Sequence, residues 1–526
     1  MSAAHTADAT AQDAASQTRP EVWALLGGFA VAAFVLHAFL YRGYGFFRDE
    51  LYFIACSKHL DWGYVDQPPG VAVLAWFGRH LFGDTLFAVR FFPIVFVSLL
   101  IILVGLTARA MGGGRFAVAL ASLCAFAVPQ YFGTWLNTDM FMMLGWAACA
   151  WIAARIFRGE SPRLWVWFGV FAGLALQGKH AMVLFGFAFA AGLLLSDRRS
   201  FLGRWLWIGS LIAFLIALPN IIWEIQHNWA TYELLSNIAH SDKNVVLSPL
   251  NYLGSNIMSF TILPSIIAFL GLGWLLFSGR GKPFRTLGWT WLISFLLIIL
   301  LKGKNYYLTP LYSTLFAAGS VGIGSWIDGL HHNPLFRKSA KPLLFALTLI
   351  GCMIGWPFAM PMMPVEKFIA YEAALGIQPS KTETKELAKL PQQYADQFGW
   401  PELTAQVAKV YRSIPEADRK SCGIFAQNYG EAAAIDYFGP AYGLPPAISG
   451  HQNYFYWGPR DFTGSCLVVI GRTREQLRQQ YETVIEMGEL YHPYAMPFEN
   501  HREIWIVHGP KYGTLQEAWP AFKIWL

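Results

Sequence analysis

Residues 22–50 read VWALLGGFAVAAFVLHAFLYRGYGFFRDE. Val22–Leu40 is an uninterrupted apolar run of bilayer-spanning length, and no small-residue cleavage motif follows it. It is therefore expected to stay in the membrane as a helix, with the carboxylates Asp49 and Glu50 just beyond its far end. The pattern recurs along the chain. Runs near 89–108, 116–134, 139–157, 164–178, 181–196, 205–223, 256–278, 287–301, 306–327 and 342–360 bring the expected spans to about eleven. Composition agrees: 526 residues, 55% hydrophobic, 16% aromatic and only 14% charged, with a mean hydropathy of +0.38. These figures argue against a solvated multidomain enzyme and rule out disorder for most of the chain.

The net charge of +6 says more through its placement than its size. If the polar stretch 1–21 is a disordered cytoplasmic tail, alternate turns carry Arg109 and Arg115, then Arg155, Arg158 and Arg163, then Arg198, Arg199 and Arg204. Two further basic turns follow, at 280–285 and 337–341. The excess of basic residues on one side sets the orientation. On the opposite, outer side the same topology gathers RDE at 48–50, YVDQPP at 64–69, NTD at 137–139, QGKH at 177–180 and KGKNYY at 302–307. Polar chemistry is thus expected on the outer face.

Asp49 is the first choice for a general base, with Glu50 beside it; desolvation at a membrane surface perturbs such carboxylates, although a solvated pair is the plain alternative. Pro68 and Pro69 break any helix through GYVDQPPG, so Asp66 is either a turn residue or a substrate ligand. Asp139 opens a helix and can cap it, or bind substrate. Lys179 and His180 interrupt apolar sequence and suit a phosphate, with snorkelling as the alternative. Lys302, Lys304, Tyr306 and Tyr307 put positive charge on the outer side against the usual bias, which a bound phosphate explains. His227 and His240, near Glu224, Glu233 and Asp242, make no metal signature. No metal ligand and no cofactor is assigned, and a divalent cation is left open.

After Pro361 the spanning pattern stops. Residues 361–526 are expected to form an extracytoplasmic α/β domain, with SCGIFA, SCLVVIG and REIWIVHG as buried strands and GEAAAIDYF and TREQLRQQYETVI as helices. KTETKELAKLPQQYADQFGW reads as a linker or exposed helical connection. GHQNYFYWGPRD, at 450–461, could contact sugar or form a packed edge. Cys422 and Cys466 sit at strand starts, where a disulfide and two buried thiols are about equally plausible.

Taken together, FFRDELYF, GYVDQPPG, LNTDM, QGKHA and KGKNYYLTPLYSTL resemble the bacterial family 39 glycosyltransferases, relatives of protein O-mannosyltransferases and of the lipid A aminoarabinose transferase. NYGEAAAIDYFGP, LPPAISGHQNYFYWGP and CLVVIGR are similar to the C-terminal domain of many bacterial members. The resemblance implies a polytopic α-helical membrane protein of GT-C type, with residues 22–360 as the transmembrane domain. It implies transfer of a sugar from a polyprenyl-phosphate-linked donor to an envelope lipid, glycan or protein, usually with inversion, at the periplasmic face of the inner membrane. By that resemblance Asp49 is the catalytic acidic residue, with Glu50 its neighbour. Asp66, Asp139, Lys179, His180, Lys304 and Tyr306 are the candidate substrate ligands. Where the aminoarabinose transferase has a basic residue beside its proline, this chain has Gln67, so phosphate binding there would need to come from Lys179, Lys304 or another group. A secondary transporter and a noncatalytic envelope assembly protein remain as other classes; a transporter would show paired repeats with broken helices at midplane.

Overall fold

Each apolar run becomes a helix in the computed structural model, which describes residues 20–526 except 128–129, 242–244, 331, 380–385 and 387. All of the expected tail up to residue 19 lies outside the described residues. The chain enters through α1 (Pro20–Leu40), then continues in the shorter α2 (Arg48–Lys58) and α3 (Gly70–Phe82). Gly70 opens α3 directly after the two prolines, so the expected turn-to-helix reading holds. There follow α4 (Leu86–Ala110), α5 (Arg115–Ala127), α6 (Gln130–Thr134), α7 (Asp139–Phe157), α8 (Leu164–Leu176), α9 (Met182–Ser196) and α10 (Arg204–Gln226). The short helices α11 (Ala230–Ala239) and α12 (Pro249–Phe260) lead into α13 (Ile262–Phe277), α14 (Arg285–Leu300), α15 (Thr309–Asp328) and α16 (Pro334–Ala359). The run at 256–278 is divided at Thr261, whose φ of 65° no helix accommodates.

Among the described residues six helices are long and apolar enough to cross a membrane: α1, α4, α7, α10, the stretch 282–300 that contains α14, and α16. They pack through small residues, as expected where lipid supplies no hydrophobic drive between helices. Gly169 of α8 meets Gly209 of α10, and Gly319 of α15 meets Ile267 of α13; a Cβ at either glycine of these contacts would run into the facing backbone carbonyl.

The C-terminal part carries a five-stranded mixed sheet of order β2-β1-β3-β5-β4. Its strands are β1 (Cys422–Phe425), β2 (Ala447–Ile448), β3 (Cys466–Ile470), β4 (Tyr481–Leu490) and β5 (Arg502–Pro510). β1 runs parallel to β2 and β3, while β5 is antiparallel to β3 and β4. Three of these strands and the helix Tyr429–Phe438 (here α17) fall where the sequence pattern puts them. TREQLRQQYETVI corrects the reading: the helix stops at Gln480 and Tyr481–Leu490 is an edge strand. Apolar and polar side chains are mixed on both of its faces, so no clean alternation marks it in the sequence, and pairing with β5 makes it a strand.

The segment read as an exposed linker is a second correction. Its part 388–400 folds inward, with Leu390, Gln392, Tyr394, Ala395, Asp396 and Trp400 all buried. Leu390 and Tyr394 share a core with Phe47 and Trp135 of the membrane part. A larger core joins Leu51, Ile54 and Ala55 of α2 to Ala432, Ala433 and Ile435 of α17 and to Ile424 and Val468 of the sheet. The C-terminal domain is therefore seated on α2 through continuous apolar packing. GHQNYFYWGPRD is a packed edge: Asn453 accepts from the Val65 N–H at 2.8 Å, and Trp457 stacks on His59.

Cys422 and Cys466 face each other in the β1–β3 register and are bonded, while Cys56, Cys124, Cys149 and Cys352 are free and buried. Alkylation of the denatured chain is expected to label four cysteines before reduction and six after it. Closing a loop of 44 residues restricts the unfolded chain, so replacing both cysteines by alanine should lower the domain's stability by about 2–4 kcal/mol, read from thermal or denaturant unfolding. Equal labelling in both states would contradict the bridge.

Candidate active site

The site starts from the first turn of α2. Successive helical residues are rotated by about 100°, so Asp49 and Glu50 diverge although they are neighbours. Glu50 turns inward and is fully buried, where its Oε1 accepts from Arg90 Nε at 2.9 Å and from the Leu136 N–H at 3.0 Å. Its Oε2 accepts from Arg90 Nη2 at 2.7 Å and the Phe47 N–H at 2.9 Å. Both oxygens are saturated and Glu50 does not reach the cavity described next.

Asp49 turns the other way, into a cavity of about 160 Å³. Its Oδ1 accepts from the Tyr429 hydroxyl at 2.7 Å and from Arg48 Nε at 3.4 Å. Its Oδ2 has no hydrogen-bond partner among the described residues, and the side chain is one-third exposed. A carboxylate fixed through one oxygen and open at the other can receive a proton.

Facing it are groups from three helix connections. Lys179, in the α8–α9 turn, pairs with Asp139 Oδ1 at 2.5 Å and stands 5.3 and 4.8 Å from the ring centres of Tyr306 and Tyr307. Burial works against its charge, but Asp139, followed by Tyr307, outweighs it and holds the ammonium pKa above its ordinary value. Asp139 thus serves an ion pair, and the turn before α7 is tied by Asn137, which accepts from the Met140 N–H at 2.9 Å. Lys304 lies 6.0 Å from the Tyr306 ring centre and has no carboxylate partner among the described residues. Its own carbonyl is held by the Tyr252 hydroxyl at 3.1 Å.

The remaining wall comes from 388–400, which adds Gln392, Gln393 and Asp396. Arg48 bridges Asp49 and Asp396, at 3.4 and 3.8 Å. Lys179 and Asp139 neutralise each other, and one guanidinium serves two carboxylates. Asp49 and Lys304 thus share the lining of one cavity. Of the residues singled out in the sequence, Asp49, Asp139, Lys179, Lys304 and Tyr306 meet here.

Asp66 and His180 do not line this cavity. Asp66 accepts from the Tyr52 hydroxyl at 3.1 Å, behind Asp49. His180 Nε2 engages Asn220 of α10 at 2.8 Å and braces the α8–α9 turn. Gln67, buried, directs its amide at Cys56 Sγ and does not replace the missing basic residue. His227 stacks on Trp223, and among the described residues no three His, Cys, Asp or Glu side chains converge as a metal site; Asp242 lies outside them.

The sequence reading overlooked Arg48, although it stands inside FFRDELYF, and Tyr429, although it stands inside NYGEAAAIDYFGP. For Gln392, Gln393 and Asp396 no local signal exists, because their contacts are made across more than three hundred residues.

Residues 66–223 match the family model described as dolichyl-phosphate-mannose-protein mannosyltransferase. Over 200 residues the chain is 26% identical to the lipid A galacturonosyltransferase RgtD of Rhizobium johnstonii, a stretch that takes in 37% of this chain and 42% of that protein. Crystal structures of ArnT from Cupriavidus metallidurans superpose with a TM-score of 0.57 both bound to undecaprenyl phosphate and in the apo state. The bound form is 14% identical and the match covers 93% of this chain and 98% of ArnT; for the apo form the figures are 15%, 92% and 97%. The fold is the one seen in ArnT, and the resemblance carried by the outer-face motifs is borne out. The chain is a multi-pass membrane protein.

Proposed function

We propose that the chain transfers a sugar from a polyprenyl-phosphate-linked donor to an envelope lipid, glycan or protein at the periplasmic face of the inner membrane, with inversion. One observation carries this reading: Asp49, held through one carboxylate oxygen, and Lys304, which has no carboxylate partner among the described residues, line the same cavity. The likeness to ArnT, crystallised with undecaprenyl phosphate, supports the donor class. The likeness to a lipid A galacturonosyltransferase supports an envelope acceptor.

In this reaction the acceptor oxygen attacks the anomeric carbon while its proton passes to Asp49 Oδ2. The bond from that carbon to the phosphate oxygen breaks, and the phosphate leaves with the electron pair. Lys304 takes up the added negative charge, with Lys179 at the other side of Tyr306. A phosphate is a good leaving group once neutralised, so no protein acid is required. Asp139 keeps Lys179 charged and in place, and Glu50 holds the helix turn on which Asp49 stands. The polar groups Gln392, Gln393 and Asp396 border the route by which an acceptor reaches Asp49.

The test is reconstitution in proteoliposomes with labelled polyprenyl-phosphate sugars and an envelope extract, followed by isolation of the labelled product. Donor-dependent labelling is expected; its absence with a folded protein across hexose, pentose and uronic acid donors would rule the reading out. Lys304→Met keeps the stem and removes the charge. It should weaken donor binding or slow the transfer step by roughly ten- to a hundredfold, the range of one charge-assisted contact. Donor titration and single-turnover rates separate the two effects, and wild-type values in both would remove Lys304 from the phosphate site.

A further inference from the structure

Tyr429 is the first residue of α17 and belongs to the C-terminal domain, yet its hydroxyl ends 2.7 Å from Asp49 Oδ1. We infer that Tyr429 is a positioning residue for the transfer step, orienting Asp49 so that Oδ2 faces the cavity, and that the C-terminal domain is thereby an integral part of the active site. The inference rests on the function proposed above.

The half-buried Tyr429 ring is held by three neighbours. Tyr52 packs on it at 4.7 Å and His451 at 5.0 Å between ring centres, and the Arg48 guanidinium lies 5.5 Å from its centre. The backbone is fixed as well: the Tyr429 N–H donates to His451 Nδ1 at 3.2 Å. Asn428 and Glu431 close a capping box around the same turn, with Asn428 Oδ1 accepting from the Glu431 N–H at 3.0 Å. Gly430 lets Arg48 lie against this turn, since a Cβ there would stand 2.6 Å from Arg48 Cγ. The hydroxyl therefore has one direction, toward Asp49.

Burial, opposed by Arg48 and reinforced by Asp49, holds the phenol well above its ordinary pKa, so it stays a donor at any physiological pH. Docking of the domain needs no such bond. The core shared by α2, α17 and the sheet already joins the two parts through many apolar side chains. A single hydroxyl adds little to that, but it decides which carboxylate oxygen is free.

Tyr429→Phe keeps the ring and its stacking and removes only the donor. In the full-length reconstituted protein kcat is expected to fall roughly ten- to a hundredfold, the range for losing one hydrogen bond to a charged group. The donor KM and the thermal midpoint are expected to stay at wild-type values. Tyr429→Phe with wild-type kcat would overturn the inference, as would a loss tracked by weaker donor binding or a lower midpoint, which marks a merely structural contact. Asp49→Asn is assayed alongside. Full turnover in that variant would bring down the underlying functional reading, whereas its loss together with an active Tyr429→Phe would bring down only this inference.

Discussion

Asp49→Asn is expected to lower sugar transfer by roughly a thousandfold while leaving insertion, folding and donor binding near wild type. The substitution is nearly isosteric. An asparagine oxygen still accepts from the Tyr429 hydroxyl and Arg48, which hold the Asp49 side chain at 2.7 and 3.4 Å. What the amide cannot do is receive a proton at the position of Oδ2, the oxygen without a partner among the described residues. The loss should therefore fall on the chemical step, seen as a slow single turnover with unchanged donor titration. Retention of wild-type turnover in a folded Asp49→Asn protein would remove the residue from its assigned role. Because the partners of Oδ1 remain, a general collapse of the helix turn is not an available explanation for the loss.

The same pair of neighbours shows how far the sequence could be read. The eleven apolar runs and their basic flanks are local features, and each run reappears as a helix. Lys304 announced itself as a positive charge on the wrong side of the membrane. The sequence reading did not separate Asp49 from Glu50, since that requires the helical phase of α2 and the buried Arg90 waiting forty positions away. The pocket wall at 392–396 was illegible for a different reason. QQYADQF has no run of hydrophobic period, and its burial is imposed by Phe47 and Trp135 from the membrane part. β4 failed likewise: the helix that precedes it runs on into Tyr481 without a break in sequence, and pairing with β5 decides where the strand begins.

That division has a physical meaning for the site. Groups that were readable, the lysines and Asp49, are those whose charge is out of place for a membrane protein and so demands an explanation. Groups that were not readable belong to the segments that close over them, where long-range packing brings an ordinary tyrosine, glutamine or aspartate to the cavity. A deletion of the C-terminal domain would therefore remove Tyr429, Asp396 and Gln392 from the site at once, and cannot report on the domain's role as cleanly as the single hydroxyl of Tyr429 does.

Glu50→Gln should have the largest effect on stability, about 3–5 kcal/mol, the range for breaking a buried ion pair from one side. Four donors converge on the two carboxylate oxygens: Arg90 Nε and Nη2, and the N–H groups of Phe47 and Leu136. Glutamine offers a single acceptor, so its own NH2 would be turned toward two of those donors in a site without water access. Arg90, fully buried, would lose its counter-charge. The expected result is a thermal midpoint lowered by many degrees, with transfer lost in proportion to the folded fraction. Removing Arg90 as well, with Glu50→Gln/Arg90→Met, should not restore stability, although exchange of buried ion pairs for apolar groups is often tolerated. Arg90 also donates to the carbonyls of Tyr41 and Gly45, at 2.5 and 2.7 Å, and those acceptors would be stranded between α1 and α2. A Glu50→Gln protein that keeps its thermal midpoint but loses transfer would instead put Glu50 in the chemistry. The converse pattern, a lowered midpoint with undiminished turnover per folded molecule, would confine its task to holding the fold together by way of the Arg90 pair.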